Sequence, residues 1–413
     1  MKASPTIRIL DRTIGSLGCF VLSLLQLVRR NSERDKSVKN ILLIELFEMG
    51  ASIMAYPAVH YVKKNFPDAN IHVLTTQSIK SSWLKIHGIE EGNIFSIRES
   101  NIFDFLYSFF QIATQLNKRK IDVIIDFELF YRITALFSFF IRSQHKAGFF
   151  RYNLEGLYRG SIYNIRCHFN QNSHISKNFL ALTKTALTFS NDYPEYKNSI
   201  GVDELTYDTY QSNPEIFRNL NQRIQTSFDV PYILISPDVG PNLSCRNYPI
   251  HQLVLVINNL LEAHPDFSIF LIGTDENVAI CNSIADAVKS DRLISFAGKT
   301  TMDELFELLV HARLLLSNDN GPVHFAALTN TPTLALYSTD SPFVYGSLGK
   351  CLILYSFYQC SPCIMAYNHK NSQCVNNKCL QAISAATVTE FAEKILSDNV
   401  NFRTINNTTP YLF

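Results

Sequence analysis

Short, mostly apolar runs, each followed by a polar turn and a stretch of helical periodicity, constrain this chain more than any other feature. In the first half the runs are Ile41–Leu46 (ILLIEL), Ile71–Thr76 (IHVLTT) and Ile121–Phe127 (IDVIIDF). Helices are predicted from about Ile53 to Asn65 and around Ile79–His87 and Ile102–Leu116. A strand with one wet face alternates polar and apolar residues. A continuous run is what a strand buried on both faces of a parallel sheet needs. The second half repeats the pattern. Strands are predicted at Tyr232–Gly240, Phe267–Gly273, Leu293–Gly298, Arg313–Ser317 and Thr333–Ser338, and helices at His251–Ala263, Val278–Lys289 and Met302–His311. Strand–helix–strand order implies right-handed crossovers. The expected fold class is therefore α/β, two tandem Rossmann-like domains facing a cleft. Ligands of such sheets bind at the carboxyl ends of the strands.

A chain of 413 residues is long enough for two domains with separate cores. Residues 190–228, rich in Asn, Asp, Ser and Pro, read as the boundary. The division expected is 1–39, an apolar helix and linker; 40–205, the first domain; 206–385, the second; and 386–413, a C-terminal helix and tail. Val388–Leu396 is predicted as an amphipathic helix that packs back on the first domain. Hydrophobic residues make up 46% and charged residues 18%, which excludes extended disorder. A net charge of +1 argues against nucleic acid as a partner. No GxxxxGK[ST] loop and no GxGxxG after a strand is present, which argues against kinase and dehydrogenase readings. Ile14–Val28 is apolar and followed by Arg29–Arg30, and it is shorter than the roughly 20 residues of a spanning helix. It lies on a membrane surface or packs on the protein itself.

The segment RLLLSNDNGPVHFAAL (313–328) is the most informative for chemistry. A strand runs into the turn Asp319–Asn320–Gly321, and a helix starts near Pro322, whose missing N–H is tolerated in a first turn. Helix N-termini favour anions, and His324 in the first turn adds a donor. The segment fits a nucleotide diphosphate. It fits equally an ordinary strand–turn–helix with Asp319 as the cap. After the strand ending at Gly273, Glu276 is placed to hold a ribose or sugar hydroxyl, or to sit in a first helical turn. Nine cysteines are too scattered for a disulfide scaffold. Cys360, Cys363, Cys374 and Cys379, with His369 nearby, have spacing that suits a structural tetrahedral zinc site. Free thiols or one or two disulfides are the alternatives.

The ordered set of motifs resembles glycosyltransferase family 9, the ADP-heptose:lipopolysaccharide heptosyltransferases and their relatives. The stretches that carry the resemblance are strand–EMGAS–helix with Pro57-Ala58 and Phe66-Pro67-Asp68, then RNYP (Arg246–Pro249), AGKTTMDELFELL (Ala297–Leu309), SNDNGPVHFAAL (Ser317–Leu328) and Pro332-Thr333. The resemblance covers roughly residues 40–385. It implies the GT-B arrangement, with an acceptor domain followed by a donor domain. It also implies inverting, metal-independent transfer from a nucleotide diphosphate sugar, ADP-heptose favoured, with no cofactor required for catalysis. The acceptor implied is a lipid-linked saccharide at the cytoplasmic face of the inner membrane, with the enzyme cytoplasmic and peripheral there. A UDP- or GDP-sugar donor and a non-catalytic nucleotide-sugar or glycan binder are the other readings.

Under this resemblance Arg246, Asn320, Gly321 and His324 are the diphosphate contacts, and Asp319 and Glu276 belong to the donor sugar or ribose. Asp319 suits sugar hydroxyls or loop organisation better than a diphosphate, since like charges repel. The family usually has Gly-Asp after the first strand, the Asp being the expected base. Here Gly50 is followed by Ala51, which accepts no proton. Glu48 in the same loop is the replacement base expected. For the acceptor, Glu128 and Arg132 follow the third strand, and Arg151, Arg159 and His174 lie in a polar and aromatic stretch. Salt bridges or caps are their alternative roles.

Overall fold

The structure, a computed structural model, describes residues 9–28, 38–129, 131–150, 158–188, 197–224, 228, 230–240, 245–365, 372–400, 402 and 411–412. Arg29, Arg30, Arg151 and His369 lie outside the described residues. The chain divides into two compact units, with the break after Tyr207.

The first unit holds a six-stranded parallel sheet, ordered β3-β2-β1-β4-β5-β6. Its strands are β1 (Asn40–Ile44), β2 (Asn70–Thr76), β3 (Ile94–Ile97), β4 (Val123–Asp126), β5 (His145–Phe150) and β6 (Ile165–His168). In the centre Ile41 pairs with Ile71 on one side and Val123 on the other. Both faces are covered, which explains the continuous apolar runs. One face packs Leu42, Ile44 and Ile124 against Phe109 and Phe137. These come from α4 (Ile102–Arg119) and α5 (Ile133–Phe140), and their rings stack with centroids 3.6 Å apart. The helix expected from Ile53 begins earlier and is broken, as α2 (Met49–Met54) and α3 (Tyr56–Asn65). Pro57 falls in the first turn of α3, the place where a proline costs no helical hydrogen bond. At the N-terminus, a π-helical turn, Asp11–Gly15, runs into α1 (Ser16–Val28). Cys19 of α1 packs with Ala135, Phe139 and Ile162. The helix therefore packs on the first unit.

The second unit holds a seven-stranded parallel sheet, ordered β13-β12-β11-β10-β7-β8-β9. The strands are β7 (Tyr232–Ser236), β8 (Ser268–Leu271), β9 (Leu293–Ser295), β10 (Leu314–Asn318), β11 (Thr333–Tyr337), β12 (Cys351–Tyr355) and a short β13 (Tyr411–Leu412). Part of the boundary stretch is built into this unit. Tyr210 Oη and Ser212 Oγ donate to the buried Glu307 carboxylate at 2.8 and 2.7 Å, and the Asn213 N–H does so at 2.7 Å. The C-terminal helix, Ala385–Leu396, which was expected on the first unit, is built into the core of the second. Its Val388, Phe391, Ala392 and Ile395 join the second unit's core with Leu253 and Leu260. Its Glu393 lies 2.9 Å from His264. Its apolar face matches the helix Ile250–Ala263 beside it, and burial there decides its place.

Candidate functional site

The carboxyl end of β10 is a tightly tied loop. Asn318 accepts the Tyr248 N–H at 3.1 Å and donates to the Pro237 carbonyl at 2.7 Å. Asn320 donates to Ser236 Oγ at 2.8 Å and to the Asp238 carbonyl at 3.3 Å, and accepts from Ser317 Oγ at 2.8 Å. Its side chain thus ties β10 to β7 and does not cap the helix that follows, Gly321–Thr329. Asn320, the residue before the helix, is in extended backbone (φ −150°, ψ −176°). Gly321 is not among the positive-φ residues described. What Gly321 contributes is clearance, because a Cβ there would lie 3.3 Å from the Phe325 ring. His324 is buried in the first turn of that helix.

Arg246 comes close to the same loop. Its guanidinium pairs with Asp340, its Nε donates to Thr339 Oγ1 at 3.1 Å, and Asp319 lies 3.8 Å away. It is therefore no bare cation awaiting a diphosphate. Two buried carboxylates already compensate it, and Asp340 keeps one oxygen, Oδ1, without a hydrogen-bond partner. Thr339 and Asp340 follow β11 and were not singled out from the sequence. The signal available was their position, immediately past a buried strand's carboxyl end. Glu276 is exposed, in the turn after β8. Behind it, Asp238 accepts from Asn277 at 2.7 Å and also from Asn247. A Cβ on Gly240, in the left-handed region at φ +90°, would lie 3.9 Å from Glu276.

In the first unit, the carboxyl ends of β1 and β4 carry a nest of carboxyl groups. Glu48 is half-buried at the start of α2. Its N–H donates to Glu45 Oε1 at 2.9 Å. Glu128 Oε1 accepts the N–H groups of Leu46 and Phe47 at 2.8 and 3.1 Å. Glu45 and Glu128 are both buried. Burial, with the nearby charges of Glu48 and Asp126, pushes the Glu128 carboxyl up to about 8. Burial and the Glu128 charge push Glu45 well above the ordinary carboxylate range. Removing water disfavours the charged form, and like charges add to that. Glu45 was missed in the sequence. Its mark there is a carboxylate inside an otherwise apolar run, ILLIEL.

The structure places the other acceptor candidates differently from the expectation. Arg159 is fully buried, paired with Asp126 and donating to the Glu128 carbonyl at 2.6 Å and Thr134 Oγ1 at 2.6 Å. It clamps the end of β4 beneath Glu128. Arg132 is also buried. Its Nη1 lies 3.6 Å from Asp11, whose carboxylate accepts the N–H groups of Arg132 and Ile133 at 2.8 and 2.9 Å. It anchors the N-terminal segment. Buried His174 accepts the Ser176 N–H through Nδ1 at 3.2 Å, at the start of the helix Ile175–Thr188. Of the acceptor candidates described, only Glu128 joins Glu48. Among the described residues no group of three or more His, Cys, Asp or Glu is arranged to hold a metal ion. Cys360, Cys363, Cys374 and Cys379 are not joined in disulfides. Burial, then Cys363 and Cys374, raise the thiol of Cys245, so that cysteine belongs to their surroundings too.

Comparison with known proteins follows the same lines. The family model described as glycosyltransferase family 9 (heptosyltransferase) matches residues 109–373. A lipopolysaccharide heptosyltransferase 3 from Escherichia coli is 23% identical over 304 residues, 71% of this chain and 82% of the relative. A lipopolysaccharide heptosyltransferase 1 from Campylobacter coli is 23% identical over 307 residues, 73% of this chain and 85% of the relative. Among solved structures, the E. coli ADP-heptose lipopolysaccharide heptosyltransferase II superposes with a TM-score of 0.67 at 17% identity. The match covers 87% of this chain and 99% of that one. The likeness shows a shared two-domain α/β fold of the GT-B class. The matched stretch begins inside α4, so the Glu45–Glu48 loop lies outside it.

Proposed function

From the premise that this chain belongs to glycosyltransferase family 9, the heptosyltransferase family, we propose that it transfers heptose from ADP-heptose to a lipopolysaccharide-type acceptor. The observation that carries the reading is the loop at the end of β10, Asn318 to Gly321, within a chain of this family. Its backbone enters a helix of nine residues, Gly321–Thr329, whose first N–H groups favour the negative charge of a departing diphosphate. Arg246, held between Asp319 and Asp340, is positioned by carboxylates, and a bound diphosphate would share it with them. Asp319 and Glu276 are assigned to hydroxyls of the sugar or ribose.

The first unit supplies the base, which we assign to Glu48. Its two buried neighbours favour their protonated forms, so Glu48, half-buried at the loop, is the carboxyl placed to exchange a proton with a hydroxyl. In the inverting step the acceptor hydroxyl gives its proton to Glu48 as its oxygen bonds to the anomeric carbon. The bond from that carbon to the diphosphate oxygen breaks, and ADP leaves with the electron pair. A lipid-linked acceptor places this reaction at a membrane surface, and we take the protein to be peripheral there.

Thermal unfolding with ADP, UDP, GDP and ADP-heptose tests the donor assignment. A ligand at about 100 times its Kd stabilises by roughly 2.7 kcal/mol. Selective stabilisation by the adenine ligands, followed by heptose transfer, is expected. Selective stabilisation by UDP or GDP would change the donor, and no response to any would overturn the diphosphate site.

A further inference from the structure

The N-terminal helix is seated with its apolar side out. Small and polar residues face the protein. A Cβ on Gly15 would lie 2.9 Å from Arg132 Cβ, and one on Gly18 3.2 Å from Leu136. Cys19 is fully buried, Ser23 Oγ accepts the Ser161 N–H at 2.8 Å, and Gln26 donates to the Ile162 carbonyl at 3.2 Å. Close approach of the helix backbone demands these small side chains. The large ones, Ile14, Leu17, Phe20, Val21, Leu24 and Leu25, are left exposed, Leu17 by 64% and Ile14 by 63%. A helix that merely covered a core would be turned the other way.

The surface does not end with α1. Leu22 and Leu136 pack on one cluster with Cys19 and Phe139, joining α1 to α5. Exposed Phe140 at the end of α5 meets exposed Phe110 of α4, with ring centroids 5.3 Å apart. Tyr107 and Phe103 continue along α4, Phe103 being 80% exposed. Among the described residues of α1, α4, α5 and the residues that flank them, the exposed charges are basic: Arg12, Lys118, Arg119, Lys120 and Arg142. The partly exposed Asp104 is paired with Arg98 at 2.7 Å. In the sequence, Arg8 precedes the helix and Arg29–Arg30 follow it. No helix among the described residues is long and apolar enough to cross a membrane.

We propose that this face, Ile14 to Leu25 of the N-terminal helix with Phe103, Tyr107, Phe110 and Phe140, docks on an anionic lipid bilayer and lies in its interface without crossing it. Large apolar side chains rimmed by cations are what an anionic interface takes up. A second copy of this chain is a poorer occupant, because a two-fold pairing of the face would set basic rim against basic rim. The proposal deepens the membrane reading above but rests on the first unit alone. The buried Arg132–Asp11 pair and the Asp11 hydrogen bonds to the start of α5 hold the helix to that unit.

The test is flotation of the full chain with vesicles of phosphatidylglycerol and phosphatidylethanolamine, against vesicles of phosphatidylcholine. Binding is expected to the anionic vesicles and to weaken with salt. Leu17→Glu with Leu24→Glu, both at exposed positions, is expected to weaken it by about 100-fold, with the melting curve unchanged. Lys118→Glu with Arg119→Glu is expected to weaken anionic binding while barely changing the residual binding to neutral vesicles. Unaltered flotation of the double-leucine variant would overturn the proposal. So would light scattering that shows wild-type dimers and monomeric L17E/L24E. Transfer to a delipidated, water-soluble acceptor separates the two readings. L17E/L24E is expected to retain that activity, and its absence in the wild type would count against the catalytic reading alone.

Discussion

The carboxyl ends of the two sheets use one backbone plan for opposite chemistry. At β1 and β4 the first unit gathers Glu45, Glu48 and Glu128, with Asp126 paired to Arg159 below them. Burial there favours protons on Glu45 and Glu128. At β10 and β11 the second unit balances one guanidinium against Asp319 and Asp340 and ties the loop with amides. The first arrangement is fit to move a proton. The second is fit to hold a rigid, charge-balanced loop beside a helix N-terminus. A shared fold fixes where groups go, and the residues at the strand ends decide what they do.

Removing the cation is the hardest blow to this contrast. Arg246→Ala leaves Asp340 buried without its partner, and breaking such a pair costs about 3–5 kcal/mol. Urea unfolding is expected to show that loss, and Asp340→Asn in the same background is expected to recover part of it. A loss within about 0.5 kcal/mol, as at an ordinary surface site, would contradict the charge-balanced loop.

Asn320→Ala should act more gently. It removes hydrogen bonds to Ser236, Asp238 and Ser317, and about 1–3 kcal/mol of stability is expected to go with them. Stabilisation by ADP should fall in the same variant, because the loop would lose its tie to β7. Unchanged ADP binding would mean that the tie has no part in the donor site.

The carboxyl nest predicts a pH effect of a set sign. The folded chain holds the Glu128 proton up to about 8, while an unfolded glutamate releases it near 4.5. Between those values the unfolded state binds fewer protons, so stability falls as pH rises, by at most about 1.4 kcal/mol per pH unit for this group. Glu128→Gln is expected to flatten the slope, since its amide oxygen still accepts the Leu46 and Phe47 N–H groups. An unchanged slope would show that Glu128 is ionised when folded.

The buried strands at the sheet centres were legible in the sequence, because β1, β2, β7, β8, β10 and β11 are covered on both faces and read as apolar runs. Strands β5 and β6 were not. His145–Phe150 opens with His and Lys, and Ile165–His168 alternates polar and apolar residues. The Lys146 ammonium is nevertheless buried, satisfied by the Ser138 carbonyl. Such partners come from distant chain and leave no periodic trace. The candidate site divides similarly. Glu48 and the Asp319–Gly321 loop were visible as motifs in single segments. Glu45, Thr339 and Asp340 matter because folding brings them beside Glu48, Glu128 and Arg246. Arg132, Arg159 and His174 looked available because their residue types bind ligands, but burial commits them to Asp11, Asp126 and Ser176.

The most direct test of the central claim is the rate of heptose transfer from ADP-heptose by Glu48→Gln, measured beside its thermal stabilisation by ADP. Loss of a general base costs about 10²–10⁴-fold in rate, and that loss is expected with ADP stabilisation unchanged. Near-normal turnover by Glu48→Gln would contradict the assignment and return the search for the base to the rest of the carboxyl nest.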